Sequence, residues 1–229
     1  MHEQETLIDK IGRILTKVGT AVMMNLMFLI CCLPVVTIGQ AWCALMSAVR
    51  YQIRGDSWWD GFKFGFKTRF LRGTVAWCAL LVLDVWMLLD VLQYTAAQVS
   101  LVYPITACIM FALMTMVTAA FLALNVYIPT DISNWIKNAA SFIFKAPLQL
   151  LVTAALFWAP VLLCLYRFDY FFYFIMIFVV AYFTLAALGT TILLKEPLMD
   201  FLIDARKEGT LIAEEGRAVE QDEEEEDEE

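Results

Sequence analysis

The sequence predicts an all-α membrane protein: a polytopic bundle of about six membrane-embedded helices, the first two a short or re-entrant hairpin, with amphipathic helices at the interface. Three observations predict it. The 229 residues are 61% hydrophobic, which excludes a disordered chain and is too apolar for an ordinary soluble domain. Stretches with few or no charges recur at Val18 to Val49, Gly73 to Tyr94, Val91 to Thr130, Ala146 to Tyr166 and Tyr170 to Leu194. Lysine and arginine, finally, gather in the segments between them. A hydrocarbon core about 30 Å thick needs about 20 helical residues, and a lone strand in lipid would leave its backbone unpaired.

The run Val18 to Val49 holds no Asp, Glu, Lys, Arg or His and is too long for one ordinary span. Pro34-Val35-Val36-Thr37-Ile38-Gly39 interrupts it in the middle, since proline lacks the amide proton a helix interior requires. Lys10, Arg13 and Lys17 precede the run and Arg50 and Arg54 follow it, and basic residues stay on the cytoplasmic side. The run is therefore expected to enter and return, as a tilted spanning hairpin or a re-entrant pair; a single crossing would place the N-terminal trio outside.

Four spans are expected from Gly73 onward, the second near Val102 to Val126. Arg50, Arg54, Lys63, Lys67, Arg69 and Arg72 lie before the first, Lys137 and Lys145 between the middle pairs, and Lys195, Arg206, Lys207 and Arg217 after the last. This topology puts 15 of the 16 basic residues inside, Arg167 in the turn Arg167-Phe168-Asp169 being the exception. It predicts a multi-pass protein of the cell membrane with both termini cytoplasmic. Met1-His2-Glu3-Gln4-Glu5 carries no basic n-region, so no removable signal peptide is expected.

The formal charge of -8 is concentrated at one end, because Glu214 to Glu229 holds eleven acidic residues and one arginine. That tail, 214–229, is expected to be a disordered, solvating segment outside a single membrane domain of residues 1–213.

Three segments repeat an amphipathic pattern. Leu7, Ile8, Ile11, Ile14, Leu15 and Val18 mark one face of a helix, and the same offsets recur as Trp135, Ile136, Ala139, Phe142, Ile143 and Ala146. Between them Trp58, Trp59, Phe62, Phe66 and Phe70 form an aromatic stripe flanked by Lys63 and Lys67. The domain thus divides into three units of amphipathic helix plus hairpin, 5–49, 56–126 and 133–194. Trp58, Trp59, Phe62, Phe66, Lys67 and Phe70 are the candidate inner-face interaction residues, anchoring to the bilayer or docking a cytoplasmic subunit.

Asp84 lies half-way along its span, where a charged carboxylate costs at least about 2.5 to 3.5 kcal/mol. It must be protonated, paired or wet; pairing with Asn25 in the first arm and hydration from an aqueous cavity are the two readings open. Its role is either to line a solute or proton path or to make a structural bond between helices. Asp90, six residues on and rotated by about 240°, is on another face. Asn125, near the inner end of its span, reads as a cap or an interfacial group. Asn25, Pro34, Thr37, Gly39 and Asp84 are the candidate functional residues.

Nothing in the sequence writes an active site. The cysteines at 31, 32, 43, 78, 108 and 164 all lie in apolar stretches without a Cys-x-x-Cys pair, and His2 is the single histidine. No catalytic, metal or cofactor residues are expected, and no nucleic-acid partner; buried cysteine behaves as a small hydrophobe. Hydrolase, phosphate-loop and zinc motifs are missing from the sequence, so no enzymatic role is expected. Gly61 and Gly65 make a Gly-x-x-x-Gly outside any span, a weak signal for dimerisation.

Asn25-Leu26-Met27-Phe28, Leu33 to Gly39, Ala41, Ala44-Leu45, Trp59-Asp60-Gly61-Phe62 and Phe66-Lys67-Thr68-Arg69-Phe70 resemble the YesL family of bacterial membrane proteins. The resemblance covers about the first third of the chain at motif level. The family often carries asparagine where Arg69 stands here. The resemblance implies a polytopic protein of Gram-positive-type bacteria, often encoded beside ABC importers and enzymes for complex carbohydrates. The molecular activity of the family is not established, so no catalytic residue is carried over. The expected function is an integral membrane accessory or partner subunit associated with a carbohydrate ABC import system, its partners the lipid bilayer and an ABC permease or other membrane subunit. The alternatives are an autonomous small-solute or ion transporter or channel, and a lipid-organising structural protein.

Overall fold

A computed structural model describes residues 7–96, 100–127, 132–166 and 175–207. The first six residues, the turn Arg167-Phe168-Asp169 and the acidic tail lie outside the described residues. Among those described, every regular element is helical: α1 Leu7–Cys31, a 3-10 turn Val35–Thr37, α2 Ile38–Arg54, α3 Trp58–Lys67, α4 Phe70–Ala96, α5 Val102–Tyr127, α6 Ile132–Lys145, α7 Pro147–Tyr166, and α8 Phe183–Lys207. A π-helical turn, Phe178–Tyr182, leads into α8.

Four stretches are long and apolar enough to cross a membrane: Phe70–Thr95, Val102–Val126, Pro147–Leu165 and Ile175–Phe201. They fall on the four expected spans, and with the all-helical fold they make this an all-α membrane protein. The expected interfacial helix before Val18 is not separate. It runs without a break into the first arm as α1, whose apolar part Leu15–Cys31 is shorter than a full span. The side chains of Leu7, Ile8, Ile11, Ile14, Trp135 and Ile136 lie outside the described residues.

The interruption at Pro34 is a reversal. Pro34 is extended (φ -81, ψ 119), and the Thr37 hydroxyl bonds back to the carbonyl of Cys31, at the open end of α1, and to that of Pro34, which also accepts the Thr37 amide. The returning arm α2 is then buried without interruption from Gly39 to Val49. A helix buried all round is a core helix: α1, α3, α4, α5 and α8 all pack around α2.

Two apolar clusters result. One surrounds α2, with Trp42, Leu45, Met46, Phe28 and Trp77; the other joins α5 to α8 through Leu124, Phe142, Leu150, Leu194 and Phe201. Both short amphipathic helices reach into them. Phe62 of α3 sits in the first cluster, and Phe142 of α6 sits in the second against the Phe201 ring, centroids 5.6 Å apart. These helices therefore pack into the bundle besides presenting an outer face. The aromatic stripe is also cut: α3 ends at Lys67 and Phe70 opens α4, with Arg69 between them in the left-handed region at φ 53.

Candidate functional site

Asp84 is fully buried and faces α5, where the Thr118 hydroxyl donates to its Oδ2 at 2.7 Å. This corrects the reading that pairs Asp84 with Asn25. A carboxylate in a helical bundle takes its bond from the helix it packs on, and α4 packs chiefly on α5. Threonine supplies the donor cheaply because its hydroxyl otherwise bonds within its own helix; Thr118 also lies 3.3 Å from the Met114 carbonyl. Asp90 is half-buried on another face of α4.

Asn25 has a different task. Its Nδ2 donates to the Phe178 carbonyl at 2.9 Å, and its Oδ1 accepts from the Thr184 amide at 3.2 Å, so it clasps both ends of the π turn. The Thr184 hydroxyl adds a bond to the Ala21 carbonyl of α1 at 3.0 Å. A π turn shifts the intrahelical pairing and leaves backbone groups without their usual partners, which in lipid must be met by side chains. Across the turn the Tyr182 hydroxyl donates to the Leu156 carbonyl of α7 at 2.7 Å.

The Pro34 to Gly39 segment is held by α4. The Trp77 indole donates to the Val35 carbonyl at 3.3 Å, and its ring covers Gly39 so closely that a Cβ there would lie 2.5 Å from Cγ and Cδ2. One residue on, the buried Gln40 donates from Nε2 to the carbonyls of Gly65 (2.8 Å), Phe66 (3.2 Å) and Thr68 (3.0 Å). These are the carbonyls that the end of α3 leaves open. Asn125 sits at the same junction, its Nδ2 3.7 Å from Cys43 Sγ.

The Gly61 and Gly65 pair seats α3 on α2. A Cβ on Gly65 would meet Ser47 Cβ at 2.7 Å and Ala44 Cα at 2.8 Å, and one on Gly61 would meet the Tyr51 side chain at 2.7 Å. The glycine motif thus closes an intrachain contact between backbones.

Of the candidate inner-face residues, Phe62 is buried, Trp58, Phe66 and Phe70 are half-buried, and Trp59 and Lys67 are exposed. Phe64, not singled out from the sequence, is exposed beside them. Lys63 pairs with Asp60 at 2.8 Å and lies 5.8 Å over the Trp59 ring. The hydrogen bond from Lys63, then that from Ser57, holds the Asp60 carboxyl below its usual range. This outer face is cationic and aromatic, the chemistry of a headgroup layer.

Sequence reasoning missed Thr118, Gln40, Trp77 and Tyr182. Gln40 was findable as an amide inside an uncharged run, and Tyr182 through Pro160, whose missing amide proton demands another donor for Leu156. Thr118 had no distinguishing signal. Among the described residues no cluster of three or more His, Cys, Asp or Glu side chains is gathered to hold a metal.

Buried polar side chains tying irregular backbone inside a shell of apolar helices define an integral membrane protein with a specified, packed interior. Residues 21–91, which run from α1 through the turn, α2 and α3 into α4, match a protein-family profile described as Protein of unknown function, DUF624. No curated protein and no solved structure matches the chain.

Proposed function

We propose that this protein is a non-enzymatic accessory subunit of the cell membrane that binds other membrane proteins, with a carbohydrate ABC import system as its partner. The observation that carries the partner reading is the exposure of α4. Only 11% of its apolar window is buried within the bundle, against 56% for α5. Val75, Val82, Trp86 and Leu89 are exposed along it, an apolar surface suited to lipid or to another transmembrane helix. The class of partner rests on the motif resemblance to the YesL family alone, since the profile matched by residues 21–91 carries no function. Cytoplasmic termini follow from the same reading, because 15 of the 16 basic residues then face inside.

A photoreactive residue at Val82 or Trp86, activated in native membranes and read by mass spectrometry, tests it. An ABC permease subunit is the expected adduct; adducts with lipid alone overturn the reading.

Transport by the chain itself is favoured by one observation, the fully buried Asp84, since an intramembrane acid marks an ion or solute path by default. Liposomes holding only this protein distinguish the two: flux lost in Asp84→Asn supports transport, and no flux supports the accessory role.

A further inference from the structure

Between α2, α5 and α7 lies a cavity of about 10 Å³, lined by Trp42, Thr118, Ala119, Thr153, Ala154 and Trp158 among others. Its size matches the roughly 10 to 15 Å³ that one water molecule requires. The lining is mostly apolar, but two of its residues carry buried, unpartnered polar groups. Thr153 is 2% exposed and Trp158 5%, and neither Thr153 Oγ1 nor Trp158 Nε1 has a hydrogen-bond partner. The third polar group, the Thr118 hydroxyl, spends its proton on Asp84 and keeps a lone pair.

Two unpartnered polar groups on a core cavity of one-water size are costly in a bundle surrounded by lipid, where a buried donor or acceptor finds no bulk water to pair with. We infer that the cavity is a binding site for a single structural water. The water accepts from the Trp158 indole N–H and donates to Thr153 Oγ1 and Thr118 Oγ1. The Trp158 N–H, both water protons and the Thr118 hydroxyl proton then meet acceptors, and the three bonds fall within the range a buried water makes. The Trp158 N–H, the water, the Thr118 hydroxyl and the Asp84 carboxyl form one hydrogen-bonded string across α7, α5 and α4. Asp84 is thereby connected to a hydrated site although its own side chain is sealed. This inference is independent of the accessory reading, which concerns the outer surface of α4.

The test is a water-selective cross-relaxation NMR experiment on the protein in lipid nanodiscs, observing the indole protons of the seven tryptophans. Trp158→Phe identifies the Trp158 signal. In the wild-type protein that signal is expected to show a cross-peak to water despite its burial. Ala154→Val fills the cavity without removing a polar group, and the cross-peak is expected to vanish while the other tryptophan signals persist. Ala119→Val serves the same purpose if Ala154→Val does not fold. A wild-type Trp158 signal without the cross-peak, or a cross-peak that survives filling, overturns the proposal.

Discussion

The Tyr182 hydroxyl donates to the Leu156 carbonyl at 2.7 Å, and Leu156 is the residue four before Pro160. In a regular helix that carbonyl would accept from residue 160, but proline has no amide proton to give. A break in α7 is thus repaired by a side chain from the π turn that precedes α8, and two irregularities are tied to one another.

This link predicts a coupling. Tyr182→Phe removes the donor and strands the carbonyl, and should destabilise the protein by about 1 to 2 kcal/mol in detergent unfolding measurements. Pro160→Ala restores an amide proton, so the same Tyr182→Phe change should cost much less in that background. A double-mutant cycle with additive effects would show that the two residues do not share the carbonyl.

The seat of α3 on α2 predicts intolerance at Gly65. A methyl there meets the Ala44 Cα at 2.8 Å and the Cys43 carbonyl at 3.0 Å, groups of the main chain that cannot swing aside. Gly65→Ala should lower stability by about 1 to 3 kcal/mol, the usual cost of overpacking. Gly12, with open space around its Cα, is the comparison: Gly12→Ala should be neutral or slightly stabilising. Thermal unfolding of both variants in one detergent checks the contrast.

The spans were legible because hydropathy over about 20 residues integrates many side chains and tolerates local error. The reversal at Pro34 was legible from a proline in an uncharged run with basic flanks. Partners were not legible. Asp84 declares itself by its cost in lipid, but which helix meets it depends on the rotation of α4 against α5, and no residue near Thr118 in sequence encodes that. Gly61 and Gly65 were visible and suggested a contact between chains, whereas the contact is within the chain; a spacing of four fixes a smooth helix face but not what lies upon it. The aromatic stripe of α3 likewise marked an amphipathic helix without separating Phe62, which is buried, from Trp59, which is exposed.

Thr118→Val tests the worth of the bond to Asp84. It keeps the shape of the side chain but leaves a fully buried carboxyl without its donor, and should cost about 1 to 2 kcal/mol. Asp84→Asn retains an acceptor for Thr118 and removes the ionisable group, so the fold should be kept. Unfolding curves in which Thr118→Val matches the wild type would mean that the bond contributes nothing.

Arg69 carries the last prediction. At φ 53 it joins α3 to α4 in a conformation that costs most residues roughly 1 to 2 kcal/mol and that asparagine and glycine enter most easily. Asparagine, which the resembling YesL family often has at this point, is thus a residue that suits the left-handed turn between the two helices. Arg69→Asn is therefore expected to preserve or raise the unfolding temperature. Arg69→Ile, which places a β-branched side chain at positive φ, should lower it by the equivalent of about 1 to 2 kcal/mol. Equal unfolding temperatures for the asparagine and isoleucine variants would mean that the junction relaxes out of the left-handed region, and that the strain is not what selects the residue there.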